Sequence, residues 1–103
     1  METPREVAIA RKYTFSEDVS ALLAGVYLKG DVGINALIFD DASGQYADGE
    51  IFTIDKVAEV SIDQGFRIAI TENGERYVLC SIYYTDDTTR DGVNVTELII
   101  IRP

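Results

Sequence analysis

The chain has 103 residues, of which 47% are hydrophobic and 26% are charged, as in an ordinary folded domain. Nine basic residues stand against 18 acidic ones, and the net charge of −9 repels nucleic-acid phosphates and anionic membranes, so we expect neither as a partner. The sequence contains no histidine, which excludes histidine-dependent nucleophile pairs and histidine-ligated zinc.

Three further absences indicate where the protein works. No apolar run approaches the ~18 residues that a membrane span needs, and the N-terminus lacks the basic and apolar pattern of a signal peptide. The single cysteine, Cys80, cannot form an internal disulfide. We therefore predict a cytoplasmic protein. Residues 1–103 are predicted to form one domain, because no linker or internal repeat interrupts them.

The N-terminal residues carry two competing patterns. Thr3-Pro4-Arg5-Glu6 has the form of a helix start, with Thr as the cap and Pro at the first position. From Val7 to Phe15, however, successive residues alternate with the period of a strand. We predict a strand from about Glu6 to Thr14, with a helix as the alternative over residues 4–14.

Residues 16–30 show the clearest helical pattern. Ser16 is a good helix cap, and the carboxylates of Glu17 and Asp18 suit the first turn. Apolar residues then recur at helical spacing until Gly30, a typical helix end: Val19, Leu22, Leu23, Val26 and Tyr27. We predict an amphipathic helix here, whose apolar stripe covers one face of a sheet.

Strand patterns dominate the rest of the chain. One strand is predicted from Ile34 to Asp40, followed by turns at Asp40–Gly44 and Asp48-Gly49. From Ile51 to Thr85 the pattern indicates three consecutive antiparallel strands.

Two glycine turns set the predicted register of these three strands. Asn73-Gly74 is a strong hairpin signal, and a two-residue loop there pairs Ile68 with Leu79. At Gln64-Gly65 a two-residue loop would place the apolar rows on opposite faces, whereas a three-residue loop with Gly65 as a bulge pairs Val60 with Ile68. We predict the bulge, because it gathers these apolar residues on one face.

The C-terminal third is predicted to contain a central strand, a loop and a last strand. Residues 76–85 are apolar on both faces, which is typical of a strand with neighbours on both sides. Asp86–Gly92 is polar throughout and is predicted to be a mobile loop. Val93–Ile101 is strongly apolar, so we expect this strand to be paired and covered.

Together these patterns predict an α+β fold: a bent antiparallel sheet of five or six strands with one amphipathic helix on one face. A small open β-barrel with a helix is the alternative. One helix covers only one sheet face, so the apolar residues of the other face, among them Val78, Cys80 and Ile82, predict a homodimer or a larger oligomer.

The candidate binding residues lie on and after the central strand. Tyrosine offers a large contact area with a polar tip, and an acidic loop follows the tyrosines. Arg67 is the cation that the predicted register places nearest to Cys80. The candidates are Tyr77, Tyr83, Tyr84, Asp86, Asp87, Arg90, Asp91 and Arg67.

Catalytic and metal signals are weak. Cys80 lies within a strand and reads as a small buried residue rather than a reactive thiol. Asp40, Asp41, Asp48 and Glu50 supply oxygen ligands, but their spacing does not fit a calcium loop, and turn carboxylates explain them without an ion. We predict no metal, no cofactor and no enzyme activity.

Two functions follow as hypotheses. The first is a small acidic binding protein that acts through protein–protein contacts, as accessory or inhibitor proteins of phage or mobile elements do, with a basic protein as its partner. The second is a small-molecule binding module, with a tyrosine-lined pocket of ~300 Å³ or more that selects a polar or cationic ligand.

Overall fold

A computed structural model describes residues 3–29, 33–90 and 93–100, and the side chains of residues 3–27 and 33–82. No helix in this described part is long and apolar enough to cross a membrane. The elements in chain order are α1 (Arg5–Ala10), β1 (Ala21–Lys29), β2 (Gly33–Phe39), β3 (Ile51–Ile54), β4 (Glu59–Asp63), β5 (Phe66–Ile70), β6 (Arg76–Leu79), β7 (Ser81–Arg90) and β8 (Val93–Ile100).

The strands form one sheet in the order β3-β2-β1-β6-β5-β4. Only Cys80 separates β6 from β7, and both pair with β1, so they act as one long strand. Its other side pairs with β5 along β6 and with β8 along β7, which confirms the predicted central position. A mostly antiparallel sheet with one short helix is compatible with the predicted α+β class. Two details differ from the prediction: with β6 and β7 taken together the described sheet has more than six strands, and β1 runs parallel to β6 and β7.

The two glycine turns have the opposite loop lengths to those predicted. Gln64-Gly65 is a two-residue loop in which both residues have positive φ, 54° and 82°, as a type I′ turn requires. The other loop has three residues: the Thr71 N–H donates to Glu75 O at 3.0 Å, and Gly74, with φ of 85°, forms the bulge.

These loop lengths change which side chains share a face. Ile68 lies opposite Val78 and packs with it, whereas Leu79 belongs to the core on the other face. Val60 lies opposite Ala69 and is 55% exposed. The predicted row of Val60, Ile68 and Leu79 on one face was therefore wrong. The predicted self-association was inferred from that row. It stays a prediction, but the row no longer supports it.

The segment predicted to be the main helix is mostly strand. Ala21–Lys29 forms β1, which is buried on both faces: Leu22 packs on one side and Leu23 on the other. A strand covered on both sides shows an almost continuous apolar run, which matches helical spacing by chance. Gly25 has φ of 61° at the irregularity in β1, where its N–H donates to Ser81 Oγ at 2.8 Å.

Residues 5–10 form the helix instead of the predicted strand. Pro4 is the residue at the N-terminal cap, and its carbonyl accepts hydrogen bonds from the N–H groups of Val7 and Ala8. Val7 and Ala10 are one turn apart and are both fully buried against the sheet. Six residues are too few for periodicity to separate a helix from a strand, so the proline signal was the informative one.

Two apolar clusters sandwich the sheet. The first lies on the face that α1 and residues 13–19 cover, and contains Val7, Ala10, Leu22, Ala24, Phe39, Phe66, Ile68, Val78 and Cys80. The second lies on the opposite face and contains Ala21, Leu23, Val26, Ile34, Ala36, Ile38, Ile54, Ala69, Tyr77, Leu79 and Ile82, with Phe52 and Val57 packed against it.

The connection between β3 and β4 shows that the sheet is strongly curled. These strands end the strand order, so in a flat sheet five spacings of about 4.8 Å would hold them ~24 Å apart. Ile54 and Glu59, which bound the link, are joined by a chain that reaches at most ~18 Å. The sheet therefore rolls its edges towards each other around the second cluster. It stays open, because β3 and β4 do not pair.

The C-terminal hairpin corrects one more prediction. Residues 86–90 continue strand β7, which pairs with β8, and are not a polar loop. The last strand is confirmed as a paired strand. The prediction that this strand is also covered concerns side chains outside the described part.

Candidate functional site

A cleft of about 530 Å³ opens at one end of the curled sheet. It lies where the loop after β2 meets the start of β6. That loop is fastened by backbone bonds, because Ala42 N–H donates to Ser20 O at 2.8 Å and Ser20 N–H donates to Arg76 O at 2.7 Å. The lining residues are Ser20, Asp41, Ala42, Ser43, Gln45, Tyr46, Phe52, Glu75 and Tyr77.

Three aromatic rings form one wall of the cleft. Phe52 lies between the other two, with its ring centroid 5.1 Å from that of Tyr46 and 5.2 Å from that of Tyr77. Tyr77 is buried, whereas Tyr46 is 38% exposed at the rim. The wall offers apolar surface to a ligand, and an aromatic ring attracts a cation wherever its face is exposed.

Asp41 contributes a fixed negative charge. Its carboxylate accepts hydrogen bonds from the Ser43 hydroxyl at 2.7 Å and from the backbone N–H groups of Ser43, Gln45 and Tyr46. The Ser43 hydroxyl, followed by these amides, lowers the pKa of Asp41. The turn therefore both orients this carboxylate and keeps it ionised.

Glu75 supplies the second carboxylate. The Tyr77 hydroxyl donates to Glu75 Oε2 at 3.0 Å. Burial, and then this hydrogen bond, raise the pKa of Tyr77, so its hydroxyl stays protonated and remains a donor. Glu75 directly precedes β6 and Tyr77 is the second residue of that strand, so the two side chains, two positions apart, lie on the same side.

The electrostatics of the lining are one-sided. Two carboxylates line the cleft, and none of its lining residues is a lysine or an arginine. A ligand that enters this cleft meets negative charge and aromatic surface without a competing side-chain cation in the wall. The arrangement favours a cationic group over an anionic one.

One of the predicted binding residues, Tyr77, lines this cleft. Asp41 lines it too, although the sequence offered that residue only as a turn carboxylate or a metal ligand. Tyr46, Phe52 and Glu75 were missed. The spacing of Glu75 and Tyr77 was a usable signal, but the approach of the loop after β2 to β6 is a contact between distant segments that no local pattern indicates.

The other predicted binding residues do not line the cleft or fall outside the described atoms. Arg67 lies on β5, opposite Ile62 and Leu79, and is not part of the lining. Five more predicted residues belong to β7, but only their backbone is described: Tyr83, Tyr84, Asp86, Asp87 and Arg90. Asp91 lies outside the described residues.

The acidic residues near the second turn serve the fold. Asp40 and Asp48 hold the Arg11 guanidinium, with Asp40 Oδ1 2.6 Å from Arg11 Nη2 and Asp48 Oδ2 3.5 Å from it. Glu50 accepts the Ala47 N–H. Among the described side chains, those of residues 3–27 and 33–82, no group of three or more histidine, cysteine, aspartate or glutamate residues could hold a metal ion.

Cys80 is not placed for chemistry. Its side chain is fully buried, and burial, with the nearby Glu6 charge second, raises the pKa of its thiol to about 12. The thiolate is the reactive form of cysteine, so this residue is inert near neutral pH.

Comparisons with known protein families, with curated proteins and with solved structures gave no match. The geometry of the cleft therefore carries the functional argument by itself.

Proposed function

We propose that this protein is a non-enzymatic binding module that takes the cationic group of a small molecule into the cleft at Tyr46, Phe52 and Tyr77. The observation that carries the proposal is the lining of that cleft: three touching aromatic rings and two carboxylates, with no basic residue among them. Cations bind over aromatic faces, and each such contact contributes about 0.5–2 kcal/mol depending on how far it is desolvated.

The volume agrees with such a ligand. Small-molecule sites measure roughly 300–1,000 Å³, and 530 Å³ lies within that range. Of the two functions expected from the sequence, the geometry favours the small-molecule module. Protein–protein contact with a basic partner through the acidic surface stays a prediction.

The test is a matched pair of ligands that differ only in charge. Choline and its uncharged carbon isostere, 3,3-dimethylbutan-1-ol, have nearly the same shape, so a difference in affinity reports the charge. We expect choline to bind, with amide chemical shifts in NMR spectra changing around Tyr46 and Glu75, and the isostere to bind at least about tenfold more weakly. Equal binding of the two, or no binding of either, contradicts the proposal.

Two substitutions locate the site. Glu75→Gln removes a carboxylate from the cleft and is expected to weaken choline binding, whereas Glu72→Gln removes one that pairs with Lys56 outside the cleft and should have little effect. Tyr46→Leu is matched by Tyr27→Leu, because both tyrosines are partly exposed, at 38% and 45%. If the control variants weaken binding as much as the cleft variants, the site lies elsewhere.

A further inference from the structure

Strand β4 has an open edge. It pairs with β5 on one side and ends the strand order of the described sheet on the other. Exposed edges are templates for additional strands, and proteins usually block them with charged side chains, above all lysine, with proline or with a bulge that twists the edge away. The five residues of β4, Glu59-Val60-Ser61-Ile62-Asp63, include neither lysine nor proline, and their two carboxylates repel acidic strands but not basic ones.

The register shows which backbone groups face outward. The two-residue turn closes the Asp63–Phe66 pair with hydrogen bonds, and bonded pairs alternate along an antiparallel ladder. The ladder therefore bonds Ser61 to Ile68 and leaves Val60 and Ile62 in the non-bonded positions. Their N–H and C=O groups point away from β5, where an added strand would meet them.

The two faces of this edge differ in character. Val60 and Ile62 share one face and are 55% and 66% exposed. Glu59 and Asp63 share the other, where the Asp63 carboxylate is held by the N–H and hydroxyl of Ser16 at 2.8 and 3.2 Å. The nearest cation of β5, Arg67, lies opposite Ile62 and so on the apolar face, away from the carboxylates.

We propose that this edge binds an extended peptide segment of a partner protein, in which apolar residues alternate with lysine or arginine. Its apolar side chains would extend the exposed row of Val60 and Ile62, and its basic side chains would lie beside Glu59 and Asp63. Charge favours this partner over a second copy of the chain, because each copy carries a net charge of −9 and repels another. In addition, antiparallel self-pairing centred on Ser61 places Glu59 opposite Asp63, and parallel pairing in register sets each carboxylate beside its own copy.

The probe is a synthetic peptide of alternating lysine and valine, titrated into the whole chain by calorimetry. One control peptide replaces every lysine by glutamate, and another carries a central proline in place of valine, which removes a donor from its strand. We expect the first peptide to bind, with an affinity that falls as salt is added, and both controls to bind at least about tenfold more weakly.

Variants of the edge complete the test. Val60→Pro deletes an outward N–H without touching the ladder to β5, and Ile62→Lys places a cation on the exposed row; both should weaken peptide binding about tenfold or more. Ile51→Lys is the matched control, because Ile51 is 76% exposed on the opposite edge strand β3, and it should leave binding unchanged. If Val60→Pro fails to fold, as judged by circular dichroism, Ile62→Lys still decides the matter.

Several outcomes would overturn the proposal. They are absence of binding, equal binding of the glutamate peptide, and an equal loss in Ile51→Lys and Ile62→Lys. Self-association in sedimentation experiments that Ile62→Lys abolishes would assign the edge to a second copy instead. Glu75→Gln, which tests the cleft, should not change peptide binding, so the two sites succeed or fail independently.

Discussion

The two-residue turn at Gln64-Gly65 decides which isoleucines form the core, and a pair of substitutions tests it. Ile68 is 1% exposed in the cluster under α1, whereas Ile62, one strand away, is 66% exposed. Replacing Ile68 by alanine removes three carbons, worth ~2.4 kcal/mol in transfer free energy at about 0.8 kcal/mol each. The cavity that remains adds to this cost, so we expect a loss of about 3–4 kcal/mol.

Ile62→Ala should cost less than about 1 kcal/mol, because most of its side chain is already in water. Urea unfolding followed by circular dichroism measures both values. A milder pair of variants is useful, because a domain of this size is stable by only about 5–15 kcal/mol. Ile68→Val is expected to cost about 1 kcal/mol and Ile62→Val almost nothing. If the Ile62 variants lose as much stability as the Ile68 variants, the turn has three residues and the described register is incorrect.

Three other predictions concern pH and glycine. Burial raises the pKa of the Cys80 thiol from 9.0 to about 12, so this residue favours folding while it is protonated. The free energy of unfolding should therefore fall as pH rises from 9 towards 12, and should fall less in Cys80→Ala. Iodoacetamide at pH 8 should label the thiol only after the protein is unfolded in urea. Asp41 makes stability depend on pH in the opposite direction. Its pKa is lowered from 3.8, so its contribution to stability is present above pH 3.8 and is lost as pH falls below that value. Asp41→Asn should reduce this loss in acid unfolding curves. Gly33→Ala should lower the stability measured by thermal unfolding more than Gly74→Ala does. A Cβ at Gly33 would lie 2.9 Å from the Ile54 carbonyl oxygen, whereas at Gly74 only the positive φ opposes a Cβ, at a cost of about 1–2 kcal/mol. Equal losses would contradict the tight contact of β2 with β3.

The sequence predicted strands best where their environment is regular. The β2 strand was recognised from alternation, and the central β6–β7 strand from its two apolar faces. Both signals are local, because each depends only on which residues of one strand share a face. The same reasoning failed at β1: a two-faced apolar run of nine residues matched helical spacing, and no local feature separates the two.

The candidate site shows the same division. Tyr77 could be selected from its strand as an aromatic residue with a polar tip. Tyr46 and Phe52 reach it only because the sheet curls and the loop after β2 folds back onto β6. Phe52 and Tyr77, whose rings are in contact, lie 25 positions apart in the chain. Such contacts depend on the whole fold.

By itself, then, the sequence determined the abundance of apolar residues, the acidic charge, the weakness of any catalytic signal and the presence of turns at the glycines. The tertiary structure decided how many residues each turn contains, and through that number which face of the sheet every following side chain occupies. The physical reason is that alternate residues of a strand point to opposite sides, so a change of one residue in a loop exchanges the two faces, and only packing against α1 and across the curled sheet selects between them.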